Sequence, residues 1–221
     1  VRLALAAAAE AAAGEADPAA LETVFASSNG DGAVVGAILE ALTDPAGAIS
    51  PTQFHNSVHN AAAGYWGIGT GSTSPSVSVG GHDDTVAAGL LQAAAAVSAR
   101  RRRVLFCAYD APLPPPLAAV RRTTVPFAAA MVLLPGPDAA ARAALDLRFG
   151  PGEAHPADSA PVRDALDALA SENPAARALP LLSAAVGRFQ GQVGAFRGHL
   201  PEQPCYRCFV GDAFDAEDCD S

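Results

Sequence analysis

The chain is short of aromatic residues, which make up only 6% of its 221 positions, and it has one Met, one Trp and four Cys. With half the chain hydrophobic, alanine carries much of the apolar content. That favours closely packed helices and tight helix–sheet contacts over a bulky aromatic core. Basic charge is scarce as well: 14 Lys and Arg against 23 Asp and Glu give a net charge of −9. Phosphate binding draws its affinity from cations, so nucleic acid is excluded as a partner class. No apolar run reaches the ~20 uncharged residues of a membrane span. The opening VRLALAAAAEAAAG has the look of a leader, but Glu10 interrupts it and Gly14 ends it as a helix end does. A cytoplasmic protein without cofactor or metal is the expectation.

Four cysteines at this length do not make a disulfide framework. Cys107 lies in the apolar run VLFCAYD and reads as a buried small hydrophobe. Cys205 and Cys208 form one CxxC, with Cys219 in an acidic tail; a structural zinc site asks for four ligands. The one basic cluster, Arg100 to Arg103, reads as a helix C-terminus opposing the helix dipole, or as a docking patch for an acidic carrier protein.

The patterning alternates between helix and strand. An Ala-rich helix spans residues 2–13, a strand 23–27 and a helix 33–42, followed by a helical region over 56–65 that breaks up at Gly67, Gly69 and Gly71. Residues 76–79 alternate as a strand, and residues 85–99 form a helix apolar all round, hence buried, with Asp83 or Asp84 placed to cap it. Strands follow at 104–109 and 127–134, and a further one at 145–149. This order indicates an α/β layered domain over residues 1–150, with residues 151–221 as a helical extension and acidic tail.

Two polar constellations stand out. In HNSVHN, His55 and His59 are four apart with Asn56 and Asn60 beside them, a spacing that can hold a metal, supply acid and base, or pack. The glutamate of HExxH is missing, which leaves hydrogen bonding on a crowded helix as the reading that fits. The run Ala61-Ala62-Ala63-Gly64 permits close approach of another backbone or subunit. In GGHDDT, between strand and buried helix, a nucleophile would gain from the helix N-terminus, yet neither Cys nor Ser is there.

Four blocks in consistent order carry a resemblance: SPTQFHNSVHNAAAGYWGIGTG, PSVSVGGHDDTVAAGLLQA, RVLFCAYDAPLPPP and VPFAAAMVLLP. Over about residues 1–135 the chain resembles the β-ketoacyl synthase-like N-terminal family, which includes the ketosynthase-like chain length factors of aryl polyene and polyketide clusters. The resemblance implies a thiolase-like layered fold, essentially the N-terminal half of a ketosynthase. It places the nucleophile position at Gly81, or at Gly80 or His82 if the register slips, and none of these forms a thioester. No HGTGT-like segment follows residue 135, and His155 and His199 do not sit in matching contexts.

The implied function is a non-catalytic subunit paired with an active ketosynthase in a heterodimer, or with a second copy of itself, serving acyl carrier protein substrates. Phe54, Tyr65, Trp66, His82, Asp83 and Asp84 would then line the acyl tunnel. His55, Asn56, His59, Asn60, Val77 and Val79 would support the interface. The alternative keeps chemistry in this chain, with His55, His59 or His82 as base in a cysteine-independent acyl transfer or decarboxylation. A metal-binding module at His55/His59 or Cys205/Cys208 is a third reading.

Overall fold

The structure is a computed structural model that describes residues 1–121, 123–136, 138, 141–150, 169–186 and 205–211. In chain order the elements are α1 (Arg2–Ala11), β1 (Glu22–Ala26), α2 (Gly32–Thr43), α3 (Pro51–Asn56), α4 (Ala61–Thr70) and β2 (Ser76–Val79). There follow α5 (Thr85–Arg100), β3 (Val104–Asp110), α6 (Leu117–Val120), β4 (Phe127–Leu133), β5 (Ala144–Gly150), α7 (Leu179–Val186) and β6 (Cys205–Gly211). The main sheet has the order β2-β1-β3-β4. β1 pairs in parallel with β2 and β3, and β4 runs antiparallel to β3. β5 and β6 form a separate antiparallel pair.

Every residue of β1 and β3 is buried, as strands covered on both faces must be. Their period-two alternation sorts the side chains into two layers. Val24, Ala26, Val104, Phe106 and Ala108 join Val86, Leu90, Ala93 and Val97 of α5 on one face. On the other, Phe25, Leu105, Cys107 and Tyr109 meet Ala4 and Ala8 of α1 and Ala62, Ala63 and Trp66 of α4. Alanine brings these helices close to the sheet. Gly89 of α5 goes further: a Cβ there would come within 2.7 Å of Ala26 Cβ and 2.8 Å of the Phe106 ring.

The continuous helical region expected over 56–65 is instead two helices. α3 closes at Asn56, where the Ser57 hydroxyl and the Ser57 amide both donate to the Phe54 carbonyl. α4 begins only at Ala61 and runs through Gly67 and Gly69 to Gly71, whose φ of 72° ends it. Burial of Ala62, Ala63 and Trp66 holds this glycine-rich segment helical against its propensity. His55 and His59 therefore do not share a helix face.

Beyond Gly150, a short 3-10 turn (Pro174–Ala178) packs into the α5 side of the core, with Ala175, Ala176 and Ala178 fully buried and Leu181 beside them. Residues 205–211 are a strand. The expected helix at 162–170 falls for the most part outside the described residues, as do the acidic tail, His155 and His199.

Candidate functional site

The parallel strands β1, β2 and β3 end together, and their carboxyl ends carry the loops 27–31, 80–84 and 111–116. In open α/β sheets this is where ligand sites form. The centre is the bend from β2 into α5. His82 has φ 54°, a left-handed conformation that an L-residue adopts at a cost. Thr85 holds the bend: its Oγ1 accepts from the Gly81 amide (3.0 Å) and donates to the His82 carbonyl (2.7 Å). Asp84 stands at the N-cap of α5 without a side-chain bond to the helix amides, so the side-chain cap expected there from Asp83 or Asp84 is not made, and the threonine ties the bend and not the helix end.

The His82 side chain is exposed but engaged. Arg121, just after α6, donates from one guanidinium nitrogen to His82 Nε2 and from the other to Asp83 Oδ1 (2.7 Å). Nε2 is thus an acceptor, which puts the proton of the neutral ring on Nδ1, 3.6 Å from Asp83 Oδ1. Arg177 donates to the Asp83 carbonyl (2.9 Å) and lies 3.7 Å from the carboxylates of Asp83 and Asp84. Two arginines and two aspartates therefore surround the bend with balanced charge.

Behind it lies Asp110, the last residue of β3 and fully buried. Its Oδ1 accepts from Ser27 Oγ (2.9 Å) and from the amides of Ser28 (2.9 Å) and Asn29 (3.1 Å), tying the end of β3 to the loop after β1. Burial pushes its carboxyl above the ordinary carboxylate range, against those hydrogen bonds and the charge of Arg121. Asn173 Nδ2 closes the same region, donating to the Asp110 and Val125 carbonyls.

The remaining residues singled out by sequence are spread around this centre. His59 Nε2 donates to the Ser27 carbonyl at 2.8 Å and so braces the loop. Tyr65 donates to Asn56 Oδ1 (2.9 Å), and its ring meets His55 edge-on at 6.3 Å. Phe54 on α3 is 63% exposed, whereas Trp66 is buried in the α1/α4 layer. Val77 and Val79 pack on the α5 side. Asn60 and Trp66, with Thr23, Ser76 and Ser78, border a cleft of about 750 Å³ between α4 and the edge strand β2. Among the described residues no three His, Cys, Asp or Glu side chains come together as metal ligands would, and Cys205 and Cys208 lie where side chains are not described.

Asp110, Arg121 and Arg177 were not among the residues the motifs single out. Asp110 had a signal, as an acid closing a fully apolar strand before a proline-rich loop; the arginines had none.

Comparison with known proteins fits this architecture. Residues 1–179 match the family described as β-ketoacyl synthase, N-terminal domain, and the chain belongs to that family. The fold is that of a chain in the structure of the ketosynthase ApeO in complex with its chain length factor ApeC from Xenorhabdus doucetiae. That likeness has a TM-score of 0.67 at 23% identity and covers 94% of this chain and 76% of the other. The thiolase-like layering expected from sequence is therefore the observed one. No curated protein matches the chain.

Proposed function

We propose that this member of the β-ketoacyl synthase N-terminal domain family is a subunit without condensing activity of its own, a chain length factor that pairs with an active ketosynthase and shapes its acyl tunnel. The observation that carries this reading is the bend itself. Where a thioester-forming nucleophile would stand, the chain offers Gly80, Gly81 and His82, and the imidazole of His82 is held between Arg121 and Asp83. A histidine whose Nε2 already accepts a hydrogen bond is a poor base and a poor nucleophile there.

Pairing has support of its own. Among the described residues the edge strand β2 has no neighbour beyond it, which leaves a row of main-chain groups open to another strand. Beside it α4 presents Gly64, Gly67 and the 76% exposed Ile68, a surface on which a second backbone could lie closely. Phe54 of α3 and Val58, between α3 and α4, are exposed apolar side chains as well, and Phe54 fits a tunnel-lining role once a partner covers it. The acyl carrier protein enters as the source of substrate, not as a second subunit. Among the described residues no helix is long and apolar enough to cross a membrane.

The test is co-expression with a catalytically complete ketosynthase from the same genome, followed by size-exclusion chromatography. A heterodimer is expected, and a stable monomer alongside free ketosynthase would sink the proposal. The exposure of His82 on a strained bend favours one rival, a cysteine-independent acyl transfer or decarboxylation. Turnover of a malonyl or acyl carrier thioester by the purified chain, abolished in His82→Ala, would decide for it.

A further inference from the structure

Three buried side-chain atoms at the carboxyl ends of the strands have no hydrogen-bond partner among the described residues: Asp110 Oδ2, Ser28 Oγ and Arg121 Nε. They belong to three segments that meet. The Ser28 amide already bonds the other oxygen of Asp110. The charge of Arg121 acts on that carboxylate. Asn29 Nδ2 bonds Thr123 Oγ1 at 3.2 Å, fastening the segment of Arg121 to the same loop. Their chemistry is complementary. An N–H donor, a carboxylate acceptor and a hydroxyl that can play either part would satisfy a single molecule that both donates and accepts. Buried polar groups left unmatched are costly, and the usual remedy is an internal water making about three hydrogen bonds.

Arg121 links this spot to the bend. Its two outer nitrogens hold His82 and Asp83, so only Nε is left to face inward. We propose that Asp110 Oδ2, Ser28 Oγ and Arg121 Nε share one water-sized hydrogen-bonding ligand, and that Asp110 acts through it as the residue that positions Arg121 over the bend. Asp110 and the bend are then parts of one device: the buried carboxylate sets the guanidinium, and the guanidinium sets the imidazole. This goes beyond the proposed role as a partner subunit and does not depend on it.

Two measurements on the full chain test it. A crystal structure of the wild type is expected to show one solvent molecule within hydrogen-bond distance of all three atoms. Direct contact between Asp110 Oδ2 and Arg121 Nε, or a dry gap, overturns the shared ligand. The second is the imidazole 15N spectrum, with the His82 signals assigned by their loss in His82→Asn. Arg121→Ala should move His82 Nε2 away from its hydrogen-bonded position. Asp110→Asn, which keeps an acceptor for Ser27, Ser28 and Asn29 but turns an amide donor toward Arg121, should move it the same way. An unchanged His82 signal in either variant overturns the positioning role. If Asp110→Asn does not fold, Ser28→Ala removes one of the three groups with little loss of packing, and the same spectrum decides.

Discussion

The two ends of the parallel strands carry similar residues to opposite purpose. At the amino end, Arg100 meets the buried carboxylate of Glu22 at 2.5 Å, and Arg103 holds Glu15 with two bonds of 2.7 and 2.8 Å and reaches Asp138 at 3.4 Å. Thr23 and Ser76 bond each other, and Ser72 and Ser74 both close on the Ala19 carbonyl. The buried polar side chains named there have their partners. At the carboxyl end a buried acid, a hydroxyl and a guanidinium each keep an atom without a partner among the described residues, and the backbone bends through a left-handed histidine. Strain does not separate the two ends, since Arg101 at the amino end takes the same left-handed φ of 54° as His82. What separates them is polar pairing: the amino end closes its named buried groups on one another, which serves stability, and the carboxyl end gathers incompletely paired ones around a single arginine, as functional sites do.

The contrast can be broken first at the amino end. Arg100→Ala strands the Glu22 carboxylate, which is 3% exposed, and should cost about 3 kcal/mol in urea unfolding. A loss near zero would mean that this end is not the stabilising one. At the carboxyl end, Thr85→Val orphans the Gly81 amide and the His82 carbonyl together and should cost about 2 kcal/mol.

The pH dependence of Asp110→Asn is a smaller effect. Burial raises the Asp110 carboxyl in the folded state, so the folded protein holds its proton more tightly than the unfolded chain does. Its contribution to stability is therefore full below the ordinary carboxylate range and is lost as pH rises through the raised value. Melting temperatures of wild type and Asp110→Asn should shift in the variant's favour from about pH 4 upward. A difference that does not change with pH refutes the raised carboxyl. Smallest of all is His82→Gly: relief of the left-handed backbone offsets the loss of the exposed imidazole's hydrogen bond from Arg121, and stability should move by less than about 1 kcal/mol.

Much of the frame could be read from residue patterns. Val104 to Tyr109 is apolar throughout because both faces of β3 are covered. The apolar residues 85–99 marked α5 as a core helix, but not one buried all round: Val86, Leu90, Ala93 and Val97 face the core, while Ala95, Ser98 and Ala99 are exposed. The break between α3 and α4 could not be read, since it turns on which carbonyl Ser57 chooses. Nor could the survival of α4 through its glycines, which packing against β1 and α1 decides. At the site, GGHDDT marks the bend, whereas its environment comes from positions far along the chain. The pairing of Arg121 with His82, 39 residues earlier, leaves no periodicity to detect.

Arg177 stretches this furthest, for it reaches the Asp83 carbonyl from 94 residues downstream, on a turn whose alanines are fully buried. On a ribosome adding about 5–20 residues per second, it is made roughly 5–20 s after Asp83. For most of that interval the sheet strands β1, β2 and β3 are all in hand while the bend lacks its last clasp. The site is finished late in the life of the nascent chain, after the scaffold it sits on.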